Sequence, residues 1–268
     1  AEGLNSFLPL SNGVAMPRTG FGTAGLGGNT VRALTEALSI GVVHVDTAAA
    51  DEYYREADVG HVLTGRKDRG DIFVCTKIHP RALLRGEQGV LEAFEKSHTR
   101  LGSIDLLLLH APWDWFSPQE AQKPRNEYDW LGGYRALEKL YREGRVRSIG
   151  VSNFDEDLLA SLLSSAEVAP HVVQTWADPY HQQRRMRAMC KEGGQAFVGY
   201  SPMGGQYTNS GGNKLMESKV LGGIAAKHGT SVALVALSWA LQSGMGVIPR
   251  SSNPTHIREN SFLYHTNL

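Results

Sequence analysis

The chain has 268 residues, 41% hydrophobic and 20% charged, and its 27 basic and 27 acidic side chains leave no formal net charge. That length suits one large domain or two small ones, and the absence of a long Lys/Arg stripe gives no support to a nucleic-acid partner. The longest apolar runs, such as "LLLL" at 106–109, fall far short of the ~20 residues that span a bilayer, so no membrane association is expected.

Two cysteines, Cys75 and Cys190, without a C-x-x-C indicate neither a disulfide framework nor a thiolate zinc site. The ten histidines form no H-E-x-x-H, and no metal is expected. The opening "AEGLNSFLPL" lacks the basic start and apolar core of a signal peptide. A reducing, cytoplasmic setting is therefore expected, and the missing initiator Met is compatible with a removed targeting segment.

In chain order, "FLPLSNGVAM" predicts a β-hairpin turning at Asn12-Gly13. Eight candidate strands follow: 18–22, 42–46, 72–77, 104–110, 148–152, 172–175, 196–201 and 246–250. Their nearly continuous apolar character fits parallel strands buried on both faces. Helical patterns lie between them. Val31, Leu34 and Leu38 share a face, Val90, Phe94 and Leu101 recur before the fourth strand, and 155–165 and 230–244 are the clearest. Eight β-then-α units admit a doubly wound sheet or a (β/α)8 barrel; the even spacing and lack of a linker favour a single barrel domain over 1–268. The long irregular segments 111–131 and 202–218 follow strand C-termini, the face on which barrel active sites are built.

Within the first strand, "GFGTAG" at 20–25 spells G-x-G-x-x-G, the Rossmann fingerprint, with Asp46 roughly where a ribose-binding acid would stand. The following "LGGNT" delays the helix to about Asn29, whereas a Rossmann loop enters its helix directly. The stretch reads better as the end of a barrel strand.

Polar residues collect at the strand ends: Asp46, Lys77, His110, Ser152, Asn153, Gln174, Tyr200, Ser201, Arg250 and Ser251. Any one alone reads as a solvated strand end, and a His after four leucines as a core residue. A barrel would bring them all to one mouth. An acid, a lysine, a histidine and a tyrosine (Tyr53 or Tyr54) form a proton-transfer set. The Lys ammonium would lower the phenol pKa, the Asp would hold the Lys charged, and the His would orient a carbonyl.

The ordered pieces "MPRTGFGTAGL", "HVDTA", "YYREADVG", "CTK", "IDLLLLHAP", "EGRVRSIGVSNF", "VVQT…DPYHQQ", "GYSPMGG" and "VIPRSSNPTHIREN" resemble the aldo-keto reductase family over nearly the whole chain. The resemblance implies a (β/α)8 TIM barrel that reduces an aldehyde or ketone with a nicotinamide cofactor, NADPH with NADH as a possible substitute. It also implies a monomer acting on a small carbonyl substrate. It gives Asp46, Lys77 and His110 catalytic roles. Ser152, Asn153 and Gln174 would hold the carboxamide, Tyr200 would stack on the nicotinamide with Ser201 beside it, and Gly22 and Thr23 would lie near the ribose. Arg250 and Ser251 would meet the 2′-phosphate, and Glu259 and Asn260 the adenine.

Three departures stand out. The family's tyrosine position, five residues after the acid, is Asp51 here; counting back from "ADVG" favours Tyr53, with Tyr54 kept beside it. His256 stands where many NADPH enzymes carry Arg, a weaker phosphate ligand. The sequence ends eight residues after Asn260, where the family continues, so the pocket is unusually open or the tail is missing. Trp113 and Trp115 are candidate pocket walls or packing for the long loop, and His79 near the mouth has no assigned role. Two further readings are a cofactor-binding regulatory barrel with little catalysis and a lyase using Lys77 as a Schiff-base amine.

Overall fold

The computed structural model describes residues 6–116, 123–206 and 211–261. Strands β1 (Phe7–Pro9) and β2 (Ala15–Pro17) pair antiparallel as the predicted hairpin. Its turn uses Gly13 at positive φ, with the Leu10 carbonyl accepting from the Gly13 N–H at 2.9 Å.

The eight expected strands form one parallel sheet in sequence order: β3 (Phe21–Gly22), β4 (His44–Asp46), β5 (Phe73–Ile78), β6 (Ile104–Leu109), β7 (Val146–Ser152), β8 (Val172–Trp176), β9 (Ala196–Tyr200) and β10 (Gly246–Val247). The first and last strands then meet. Thr19 bridges Val247 in parallel, Gly20 N–H donates to the Val247 carbonyl at 2.8 Å, and Gly22 N–H donates to the Pro249 carbonyl at 3.0 Å. The sheet closes on itself, which excludes the doubly wound alternative and leaves no open edge.

This closure explains two glycines of the apparent fingerprint. A Cβ on Gly20 would stand 2.8 Å from the His44 ring, and one on Gly22 would stand 2.7 Å from the Ile248 carbonyl oxygen. Both are glycine because strand and interior packing leave no room for a side chain.

Helices surround the barrel: α1 (Thr30–Ser39), α2 (Glu56–Leu63), α3 (Gly86–Leu101), α4 (Trp130–Arg142), α5 (Glu156–Ser165), α6 (Arg184–Gly193), α7 (Lys219–Lys227), α8 (Val232–Gln242) and α9 (Pro254–Ser261). Side-chain oxygens of Asp129, Asp155, Ser218 and Ser231 cap α4, α5, α7 and α8. In α1 the buried face is Thr30, Ala33, Leu34, Ala37 and Leu38, and Val31 is exposed. The predicted face was rotated because the small Ala33 and Ala37, not Val31, let the helix approach the sheet. Among the described residues no single helix is long and apolar enough to cross a membrane, and the apolar pair α7–α8 is bent by 87°.

Two cores result from the strand pleat. Outward side chains such as Val74, Leu107 and Ile149 pack under the helices. Inward ones, Phe73, Cys75, Leu106, Leu108, Val172 and Val198, fill the barrel with Leu10 and Met16 of the hairpin region plugging it. Chemistry is thereby confined to the last inward position of each strand.

Candidate active site

Lys77 is the last inward residue of the β5 series Phe73, Cys75, Lys77, and Asp46 ends the neighbouring β4. Both are buried. Lys77 Nζ donates to Asp46 Oδ1 at 2.5 Å and to the Thr47 carbonyl at 3.0 Å. Gln174, from β8 across the barrel, donates through Nε2 to Asp46 Oδ2 at 2.9 Å. Both carboxylate oxygens are thus satisfied, as a buried anion requires.

Tyr54 lies over this pair. Its ring centroid is 5.4 Å from Lys77 Nζ and 5.6 Å from the His110 ring, which it meets edge-on. Tyr53 is 52% exposed and contacts Phe116 instead. Of the two tyrosines kept from the sequence, with counting leaning to Tyr53, the turn places Tyr54 against Lys77: the N–H groups of Tyr53 and Tyr54 both donate to the Ala50 carbonyl. The two extra residues are absorbed in that turn, and the next residue enters the mouth. Directly behind it, buried Glu56 accepts from Thr76 Oγ1, Ser97 Oγ and the Arg100 guanidinium, anchoring α2 to β5 and α3.

The electrostatics follow from burial. Burial pushes the Lys77 ammonium toward losing its proton, but Asp46, with Tyr54 and Cys75 adding to it, turns the net shift upward. Burial raises the Tyr54 phenol above its ordinary 10.0, and the lowering by Lys77 is the smaller effect. Net lowering was expected from the sequence. It fails first because the ring is buried, and second because Asp46, 2.5 Å from Nζ, offsets part of the lysine's effect. His110 is held well below its ordinary 6.5 by burial and then by Lys77 and His79, so it is neutral. Its Nδ1 is buried without a partner among the described residues.

Buried neutral histidines have a consequence for stability. His44, whose ring bonds the Pro17 carbonyl at 2.9 Å, is also lowered by burial. The unfolded chain takes up protons near the ordinary histidine pKa and the folded protein does not, so the unfolded state binds more protons below it. Stability is full above about pH 6.5 and is lost as pH falls below it. Thermal unfolding should show a flat Tm above that pH and a declining one below; a Tm that rises on acidification toward about pH 5 would contradict the assignment.

On the β7–β9 side, Asn153 sits at φ 59° with its N–H donating to the Gln174 carbonyl at 3.0 Å. Its Nδ2 donates to the His110 carbonyl at 2.8 Å and to Ser152 Oγ at 3.1 Å, and its Oδ1 accepts from the Tyr200 hydroxyl at 2.7 Å. Burial pushes the Tyr200 phenol up to about 12, so it stays neutral. Ser201 is at φ 49°. Two non-glycine residues in left-handed conformation at one barrel mouth mark a site where the surroundings dictate the backbone.

The third group lies at the β10–α9 junction. Arg250 is exposed. Gly25, at φ 65°, faces its guanidinium; a Cβ there would lie 3.6 Å from Cζ. Ser251 Oγ accepts from the Asn253 N–H, and Asn253 Oδ1 accepts from the Thr255 N–H. His256 and Glu259 are exposed on α9, and Asn260 is buried. Thr23, near Gly22, donates to the Asp46 carbonyl through both N–H and hydroxyl. The structure thus brings Asp46, Tyr54, Lys77, His110, Gln174, Ser152, Asn153 and Tyr200 into one connected group, and leaves Arg250, Ser251, His256 and Glu259 as a second, outlying one.

Trp113 packs on the core with the Arg125 guanidinium 4.0 Å above its ring, so it packs the loop. Trp115 is 40% exposed and touches Phe116. Sequence reasoning missed Phe116, whose ring lies 4.7 Å from His110 and 5.3 Å from His79. It follows two tryptophans in an aperiodic loop, and the only available signal was the aromatic run itself. Parts of both long loops, 117–122 and 207–210, and the tail 262–268 lie outside the described residues, as does the expectation of a short C-terminus. No group of three metal-ligating side chains occurs among the described residues.

Against known proteins, the profile described as Aldo/keto reductase family matches residues 18–268. Similar relatives include a 9,11-endoperoxide prostaglandin H2 reductase of Trypanosoma cruzi, 36% identical over 94% of this chain and 83% of its own. A glyoxal reductase of Bacillus subtilis is also 36% identical, over 97% and 88%. Among solved structures, an aldo-keto reductase of Bombyx mori in complex with NADP superposes with a TM-score of 0.87 at 27% identity, covering 100% of this chain and 90% of that one.

Proposed function

The chain belongs to the aldo/keto reductase family and reduces carbonyl groups with a nicotinamide cofactor; from that premise we propose that Tyr54 is the group that protonates the carbonyl oxygen. The placement of its ring against both Lys77 Nζ and His110 carries this reading. The cofactor, when bound, supplies the hydride. Tyr54 is neutral and holds a proton to give. A forming alkoxide is far more basic than a phenolate, so the transfer is favourable although burial raises the Tyr54 pKa. Lys77 faces the phenolate left behind, and Asp46 and Gln174 fix Lys77 in place. Neutral His110 orients the carbonyl.

The chain's residues fit a dinucleotide. Ser152, Asn153 and Gln174 present amide and hydroxyl groups to a carboxamide, and Tyr200, its hydroxyl tied back to Asn153, is left with a ring face for stacking. Gly22 and Thr23 would meet the ribose, Ser201 would add a cofactor contact beside Tyr200, and Glu259 and Asn260 would meet the adenine. Arg250, Ser251 and His256 at the start of α9 suit a 2′-phosphate, which favours NADPH over NADH. The Bombyx mori enzyme, by its description, binds NADP. Arg250→Ala should weaken NADPH binding about 10- to 100-fold, the worth of a charge-assisted hydrogen bond, and NADH binding far less. Fluorescence titration of both cofactors checks this; equal losses would place the phosphate elsewhere.

The substrate is proposed to be a small aldehyde or ketone with an apolar or aromatic part, held against Phe116 and Trp115. The lyase reading is disfavoured because Asp46 keeps Lys77 charged, the reverse of what an amine nucleophile needs. A single-domain, monomeric, cytoplasmic enzyme completes the proposal; the two free, buried cysteines are compatible with a reducing setting.

A further inference from the structure

Three loops at the barrel mouth are tied by one side chain that no step above uses. Arg81 lies just past β5, in the 3-10 turn Pro80–Arg85. Its Nη2 donates to Glu52 Oε1 at 2.8 Å, and its Nε donates to Asp114 Oδ2 at 2.9 Å. Glu52 belongs to the turn after β4, two residues before Tyr54. Asp114 belongs to the loop after β6, two residues before Phe116, and its Oδ1 accepts from the Phe116 N–H at 2.8 Å. The Asp114 side chain is fully buried, whereas Arg81 is 44% exposed. A buried carboxylate and a rim carboxylate thus meet through a single guanidinium.

We propose that Arg81 is a positioning residue for the carbonyl substrate: with Glu52 and Asp114 it sets the separation between the loop that carries Tyr54 and the loop that carries Phe116. The planar guanidinium suits this task, because its fork presents separate N–H groups to two carboxylates at fixed angles. Phe116 lies against His110 on one side and Tyr53 on the other, so a shift of the Asp114 loop moves the wall nearest the proposed carbonyl site. His79 flanks the same wall, 5.3 Å from Phe116, and its Nδ1 accepts the Arg81 N–H at 3.1 Å. Of the residues assigned to the cofactor, Ser152, Asn153, Gln174, Tyr200 and Ser201 belong to the β7–β9 side, Arg250, Ser251, His256, Glu259 and Asn260 to the stretch from β10 into α9, and Gly22 and Thr23 to the end of β3, where Thr23 bonds the Asp46 carbonyl and not the clamp. The inference rests on the carbonyl-reductase reading and names a residue for it.

Steady-state kinetics of the full chain with NADPH and an aromatic aldehyde, alongside NADPH titration, test it. Arg81→Met should raise KM for the aldehyde about tenfold, the loss of one charge-assisted contact of ~1.4 kcal/mol. It should leave the NADPH dissociation constant unchanged and kcat nearly so. Asp114→Asn should give the same KM effect, and the double variant should add little to either single one. Arg81→Lys, which can reach only one carboxylate well, should recover part of the KM. A merely structural role would instead lower kcat through a smaller active fraction, leave KM unchanged and add up in the double variant. That pattern, or an equal weakening of NADPH, overturns the inference. If the wild type turned over no carbonyl at all, the reading beneath it would fail first, and the inference with it.

Discussion

Tyr54→Phe is expected to lower kcat for carbonyl reduction by about 10²- to 10⁴-fold, the usual worth of a positioned general acid, without changing the dissociation constant of NADPH. Tyr53→Phe, which alters an exposed side chain facing Phe116, should turn over like the wild type. The contrast is sharp because the two residues are adjacent and chemically identical, so only placement separates them. The pH dependence adds a second check. Reduction needs the protonated phenol, and burial holds that phenol above its ordinary 10.0. The rate should therefore stay level through neutrality and fall only in the alkaline range. His110, neutral well below 6.5, introduces no break between. A break near neutral pH, or a Tyr53→Phe variant that loses turnover while Tyr54→Phe keeps it, would move the proton to another group.

Lys77→Met is expected to cost both activity and stability, and the two losses can be pulled apart. Removing one partner of a buried pair leaves the other charge uncompensated, at about 3 kcal/mol or more; for a chain of this size that is a Tm fall of roughly 6–12 °C. Gln174 still donates to Asp46, which holds the loss toward the lower end. Replacing Asp46 by Leu in the same molecule removes the stranded carboxylate. Thermal unfolding should then recover most of the lost Tm, while reduction of an aldehyde stays as low as in the single variant. Recovery of both would show that the pair serves folding alone. Recovery of neither would show that Asp46 is held by more than Lys77 and Gln174.

Much of this was legible in the sequence for a simple physical reason. Parallel strands buried on both faces must be apolar along their length, so each announces itself and its polar end announces the mouth. Asp46, Lys77, His110 and Gln174 were singled out that way, and the structure brings them together, because strand pleat is regular. Where the chain is irregular, counting fails. The turn between β4 and α2 has no period, and its register is set by two N–H groups sharing the Ala50 carbonyl. That choice exchanges Tyr53 for Tyr54. The same holds for Phe116 and for the Arg81 clamp, whose partners come from three loops and leave no local pattern. Val31 was misplaced for a different reason: periodicity alone does not say which of two adjacent stripes the sheet accepts, and Ala33 and Ala37 decided it. The glycines of "GFGTAG" show the opposite trap, a motif that matches for reasons of packing. Gly20 and Gly22 make room for His44 and the Ile248 carbonyl, and Gly22 and Gly25 both lie beside the Arg250 side chain, which is proposed to meet a cofactor.

The pKa of Tyr54 shows how far pairwise reasoning from residue types can go. Placing a lysine beside a tyrosine predicts a lowered phenol pKa, but burial of the ring outweighs the lysine and Asp46 offsets part of its charge. The proton is therefore delivered by the basicity of the forming alkoxide more than by a weakened phenol O–H.

The most direct test of the central claim is isotope transfer. The purified chain is incubated with NADPH deuterated at the transferable position of the nicotinamide and with an aromatic aldehyde, and the alcohol is analysed by NMR. Deuterium on the carbinol carbon in the wild type, with its yield reduced to trace in Tyr54→Phe at saturating cofactor, is the predicted result. Tight NADPH binding with no deuterated alcohol from any aldehyde or ketone offered would contradict it.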